Sequence, residues 1–149
     1  MSAKAQASRT TTRGNLGFLL AKASQRWNEL LRASFSEQGF SEVRPSYGSV
    51  LIPLFEEDGL RIGEIARRSR LSKQTMTTMV RLAERDGLVV REPDPEDARA
   101  VRVRLSERAR EFAPVAERTL ERLDRRVAVL IGQARQRGLH EALTELAEL

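Results

Sequence analysis

Apolar residues recur at three- and four-residue steps through Leu16, Leu19, Leu20, Ala23, Trp27, Leu30, Leu31 and Phe35. That spacing predicts a long helix with one buried stripe. Gly39 stops it and leaves Phe40 to pack under the loop that follows. Pro45 suits the first position of a second helix that turns Tyr47, Val50, Leu51, Leu54 and Phe55 inward. Pro53 lacks an amide proton and should kink or shorten the last turn of that helix. Glu56-Glu57-Asp58-Gly59 then reads as a turn.

Two short helical patterns follow. The first places Ile62, Ile65 and Ala66 inward, and Ala66 is small enough for a close helix crossing. The second places Leu71, Met76, Met79, Val80 and Ala83 inward, opens on Ser72 as N-cap and ends at Gly87. Its other face carries Lys73, Gln74, Thr77, Thr78, Arg81 and Arg85. Leu88-Val89-Val90-Arg91 reads as a strand, and Ala100 to Leu105 alternates apolar and basic with period two. Between them Pro93 and Pro95 mark a turn-rich tip kept out of the strand interior. Helix, turn, helix and hairpin together predict a winged helix-turn-helix over residues 44–105. Ser106 then caps a long helix with Ala109, Phe112, Ala113, Ala116, Leu120, Leu123, Val127 and Leu130 inward, bent at Pro114. Gly132 and Gly138 bracket a break before a short helix through Leu139, Leu143 and Leu146.

The expected class is therefore mostly α, with α+β character from the small wing. Residues 1–14 form a flexible basic arm with Lys4, Arg9 and Arg13 and no acid. Residues 15–149 form a single domain, whose segments 15–38 and 106–149 carry more apolar surface than the winged unit can cover. A second copy of the chain, joined by a two-fold contact, buries that surface economically. Folding of the helices back on one another in a monomer is the alternative.

Composition narrows the chemistry. The chain has 149 residues, enough for one ordinary domain with a real core. It has no cysteine, which excludes disulfides, thiolate metal sites and thiol redox sensing. With a single histidine, His140, no Gly-rich phosphate loop and no paired carboxylates in an apolar setting, an enzyme is the weakest class. Glu56, Glu57 and Asp58 read as a solvated helix end, so no metal and no cofactor are expected. There is no apolar run of membrane-span length and no apolar leader core, so the expected setting is the cytoplasm. A net charge of +5 suggests an anionic partner, although the same charge would serve solubility alone. Its distribution is more specific: Arg67, Arg68, Arg70, Lys73, Arg81 and Arg85 crowd the two short helices.

Ile65-Ala66, Lys73-Gln74, Gly87-Leu88-Val89 and above all Asp94-Pro95-Glu96-Asp97-Ala98-Arg99-Ala100, with Leu105-Ser106 after it, resemble the MarR family of bacterial transcription regulators. The resemblance spans roughly residues 16–149 and is most specific at the wing. Ala98 stands where the family often has the first of two arginines, removing one DNA contact. Ala83 stands where a leucine is customary, with Leu82 one place earlier. The resemblance implies a homodimer that joins through its terminal helices and binds double-stranded DNA. It also implies a small aromatic or phenolic effector held between those helices and the winged domain. Trp27, Leu31, Phe35, Phe40, Tyr47 and Leu51, with Arg44 at the rim, would line a cleft suited to an aromatic acid; the same residues could equally fill the core.

The second helix of such a unit enters the major groove. Lys73 or Arg81 could donate to guanine, Gln74 could pair with adenine, and Thr77 or Thr78 could meet a thymine methyl. Ser69, Ser72 and Thr75 are better placed for phosphates. At the wing tip, Asp97 can hold the Arg99 guanidinium for insertion into a narrow A·T-rich minor groove, the role the family's Asp-x-Arg is credited with. A surface ion pair that merely stiffens the turn is the plainer alternative. The function expected is a homodimeric repressor of a palindromic operator. A sequence-tolerant architectural DNA-binding protein without a ligand is the chief rival, and a protein-interaction module the third class.

Overall fold

The structure, a computed structural model, describes residues 14–149. All but the last residue of the basic arm lies outside the described residues. Helix α1 (Leu16–Glu37) opens on Asn15, whose side chain accepts the Phe18 amide at 2.9 Å. Gly39 at φ +88° turns the chain, and the Phe40 amide closes back on the Phe35 carbonyl at 2.9 Å. Pro45–Tyr47 winds as a single 3-10 turn, so the helix expected from Pro45 becomes α-helical only at Gly48 (α2, Gly48–Glu56).

Helix α2 stops three residues after Pro53. Proline has no N–H to offer the carbonyl four residues earlier. The Ser49 carbonyl, which would have taken that bond, accepts the Ser69 hydroxyl at 2.5 Å. A sequence irregularity in one helix is thus satisfied by a side chain from another.

Strand β1 (Leu60–Arg61) was not legible in the sequence, where Arg61 was read with the following helix. At two residues it is too short to show a period of two. Helices α3 (Ile62–Ser69) and α4 (Lys73–Arg85) form the helix-turn-helix, and strands β2 (Val89–Pro93) and β3 (Val101–Leu105) form the hairpin. The sheet is antiparallel in the order β1-β3-β2, with Arg61 opposite Arg102 and Val89 opposite Leu105. Pro93 falls at the last residue of the edge strand, where a missing donor costs least.

Helix α5 (Glu107–Ile131) starts at Ser106, which accepts the Ala109 amide at 3.1 Å and donates to the Gly87 carbonyl at 2.7 Å. The helix runs through Pro114 without interruption. Gly132, at φ +88°, alone makes the break before α6 (Gln133–Ala147), and Gly138 lies inside that helix. The expected bracketing by two glycines is corrected here: only Gly132 adopts the left-handed φ that ends a helix.

The core joins α2, α3, α4 and the sheet through Val50, Leu51, Leu54, Ile65, Met76, Val80, Leu88 and Val103. Ala83 is fully buried and Leu82 only partly, which fixes the register of α4. Phe35 of α1 meets Phe112 of α5 edge to face, ring centres 4.7 Å apart. Beyond that contact the terminal helices are bare. Val129 and Leu130 are 89% and 82% exposed, Leu16, Leu19, Leu139 and Leu143 are exposed, and α6 has no buried residue. Among the described residues no helix is long and apolar enough to cross a membrane.

Candidate nucleic-acid interface

Helix α4 buries Met76, Val80 and Ala83, which leaves its opposite face to solvent. Ser72 caps it as expected: its Oγ accepts the Thr75 amide at 3.0 Å and donates to Thr75 Oγ1 at 2.8 Å. Thr77 and Thr78 donate their hydroxyls back to the carbonyls of Lys73 and Gln74, at 2.8 and 3.3 Å. Their protons are committed to the helix, so methyl groups and acceptor lone pairs are what they can offer a base. Lys73, Gln74 and Arg81 are exposed, and their side chains have no hydrogen-bond partner among the described residues. Ser69 differs from the expectation: half-buried and bonded to Ser49, it supports α2 and has no free proton for a phosphate.

Much of the positive charge around α3 is answered within the fold. Glu64 accepts Arg67 at 2.9 and 2.5 Å and Arg68 at 3.0 Å, and these bonds lower the Glu64 carboxyl from 4.5 to about 2. Arg68 also reaches Glu57. Arg70, the only non-glycine described residue at positive φ, ties the turn to the end of α6 through Glu148 at 2.6 Å and the Ala147 carbonyl at 2.8 Å. At the far end of α4 the Tyr47 hydroxyl donates to Asp86. Burial and that carboxylate push the phenol up, while Arg85 first and Tyr47 second hold Asp86 below its ordinary value. Tyr47 is therefore a strut under the recognition helix.

The wing is ordered by Asp94, a residue the sequence did not single out beyond its place in the motif. Its side chain has no exposed surface. One oxygen accepts Arg61 Nε and Arg102 Nε, each at 2.8 Å; the other accepts the amides of Glu96 and Asp97, at 2.8 and 3.3 Å. The two guanidiniums, Arg61 first, and then the Glu96 amide hold the carboxyl far below its usual range. Asp97 accepts the Arg99 amide at 3.0 Å, but Arg99 Nε approaches it only to 3.5 Å. Asp97 thus shapes the tip backbone more than it holds the guanidinium, and the Arg99 side chain is 94% exposed. Arg91 reaches back to Glu84 of α4 at 2.9 and 3.1 Å, fixing the wing against the recognition helix.

The expected ligand cleft is filled. Leu31, Phe35, Phe40, Tyr47 and Leu51 are buried in the core, and Arg44 stands exposed outside it. Close packing leaves no room among them for a guest. Open space lies higher, in a groove of about 600 Å³ lined by Trp27, Leu30, Leu123, Arg125, Arg126, Val127, Val129 and Leu130. Only Trp27 belongs to both sets. Sequence periodicity could not show that the stripe of α1 is covered at Leu31 and Phe35 yet open at Trp27. Among the described residues, no group of three or more His, Cys, Asp or Glu is placed to hold a metal.

Residues 45–101 match the model of the MarR family. The exopolysaccharide II synthesis transcriptional activator ExpG of Rhizobium meliloti is 25% identical over 134 residues, spanning 90% of this chain and 68% of that protein. The transcriptional repressor CouR, solved bound to a 23-mer DNA duplex, superposes with a TM-score of 0.75 at 26% identity, covering 89% of this chain and 92% of CouR. The PcaV transcriptional regulator of Streptomyces coelicolor, solved with its natural ligand, gives a TM-score of 0.76 at 20% identity, covering 93% and 94% of the two chains. At that identity the likeness to PcaV is one of fold.

Proposed function

Since this chain belongs to the MarR family of winged helix-turn-helix DNA-binding transcriptional regulators, we propose that it acts in the cytoplasm as a homodimeric repressor of a palindromic operator. The observation that carries this reading is the face of α4. Its apolar side is wholly buried, while Lys73, Gln74 and Arg81 stand exposed and unpartnered beside a wing whose Arg99 is 94% exposed. Side chains of this kind supply base-edge and minor-groove contacts. Ser72 and Thr75 line the helix start, where phosphates settle. A dimer sets its two recognition helices about one turn of DNA apart, so the half-sites should be spaced accordingly.

The bare apolar surface at Val129, Leu130, Leu139 and Leu143 supports the dimer, because a second copy would cover it by a self-complementary contact. The Trp27 groove, with Arg125 and Arg126 beside its apolar walls, has the chemistry for an aromatic acid. Occupancy there would act on the helices that set the spacing of the two DNA-binding units. Trp27 is the only tryptophan, so its fluorescence reports directly on that site.

Titration with duplexes selected from a random pool tests the DNA reading. A palindromic sequence should bind far more tightly than its scrambled counterpart, and Arg99→Ala should weaken binding most where the flanks are A·T-rich. Equal affinity for both duplexes would favour the sequence-tolerant architectural alternative. Aromatic acids added to the complex should quench Trp27 and release DNA together; release by none of them would leave a ligand-independent regulator.

A further inference from the structure

Arg61 stands at the N-cap of α3 with no side-chain capping bond. Arginine is a poor choice there, since Ser, Thr, Asp or Asn would satisfy an amide of the first turn. A residue that goes against a local preference often serves something other than local stability. Its guanidinium is bonded to Asp94 through Nε alone, at 2.8 Å, and its side chain is about half exposed, at 47%. Both terminal nitrogens are left without a partner among the described residues. The carboxylate that fixes it is itself immobile, held by Arg102 and by the amides of Glu96 and Asp97. This is a preoriented donor fork at the root of the wing, where the tip leaves the sheet. By contrast, Arg67, Arg68 and Arg70 spread their nitrogens over Glu64, Glu57 and Glu148.

We propose that Arg61 is a further contact to the DNA backbone, donating its terminal nitrogens to a phosphate, and that Asp94 is its positioning residue. The inference rests on the DNA-binding reading above. It gives the wing two grips, Arg99 at the tip and Arg61 at the root, on either side of Asp94. Phosphate contacts are sequence-independent, so a mixed-sequence duplex serves as well as an operator.

The test compares Arg61→Ser with the parent protein, measuring affinity for such a duplex across a salt series together with thermal stability. Serine restores a capping side chain, so stability should hold or rise. One lost phosphate contact makes the log–log salt dependence shallower by about 0.9, so that from about 50 to about 200 mM salt the variant loses about 3.5-fold less affinity than the parent. An unchanged slope, or lower stability with unchanged binding, would overturn the proposal and reduce Arg61 to a structural ion pair. Repeating the substitution beside Asp94→Asn tests the positioning role: Arg61→Ser should then cost less, and an equal cost would remove Asp94 from the account. A parent that shows no salt-dependent binding would instead defeat the DNA-binding reading itself.

Discussion

Ser69→Ala is a sharp test of how the fold compensates for Pro53. In the parent, the Ser49 carbonyl receives no amide from residue 53 and takes the Ser69 hydroxyl at 2.5 Å instead. Removing that hydroxyl deletes one hydrogen bond and leaves a partly buried carbonyl with only occasional solvent, a cost of about 1–2 kcal/mol. For a chain of this length that corresponds to a fall in Tm of roughly 2–8 °C. Pro53→Ala changes the balance by restoring an N–H four residues beyond Ser49. In that background Ser69→Ala should cost less than about 0.5 kcal/mol, because the carbonyl regains its helical partner. The coupling is read from a double-mutant cycle of thermal or urea unfolding at fixed protein concentration, since association of copies would shift the midpoint. Equal cost in both backgrounds would refute the compensation. No cost in either, with a loss of DNA affinity, would return Ser69 to the phosphate contact its position in the sequence suggests.

Ser72→Ala should destabilise the protein by about 1 kcal/mol through loss of the α4 cap, whereas Ser72→Asp should keep the cap and stability but weaken DNA binding by facing a phosphate with a carboxylate; chemical denaturation and duplex titration separate the two. Leu130→Glu places a charge on a surface that is 82% exposed in one protomer, so it should leave the protomer folded while shifting sedimentation from dimer to monomer, and a folded variant that still sediments as a dimer would move the interface elsewhere. Glu64 is lowered from 4.5 to about 2 by Arg67 and Arg68, so its stabilising contribution is complete above pH 4.5 and is lost as pH falls toward about 2. Glu64→Gln should therefore flatten the acid side of the stability profile, measured as urea midpoints, and leave its neutral region nearly unchanged in slope.

The helix-turn-helix was legible because each of its signals is local. Ser72 caps a helix three residues long in its reach, Ala83 and Met76 repeat at helical spacing, and the alternation from Val101 to Leu105 announces a half-buried strand. Asp94-Pro95-Glu96-Asp97 could be read as a turn for the same reason. The role of Asp94 could not, because its partners Arg61 and Arg102 come from β1 and β3 and meet it only once the sheet is paired. Arg61 carried no signal either: its strand is two residues long and its cap position is empty.

Periodicity and capping chemistry settled which residues form helices, which form the wing, and which side of α4 is left for a partner, since those depend on neighbours within a few residues. Three matters depended on side chains far apart in the chain. The three-dimensional packing filled the supposed cleft with Leu31, Phe35, Tyr47 and Leu51, moved the open volume to Trp27, and paired off Arg67, Arg68 and Arg70 while leaving Arg61 half free. Spacing along one chain reports which face a residue occupies; only the meeting of two faces decides whether that residue is covered, paired or available.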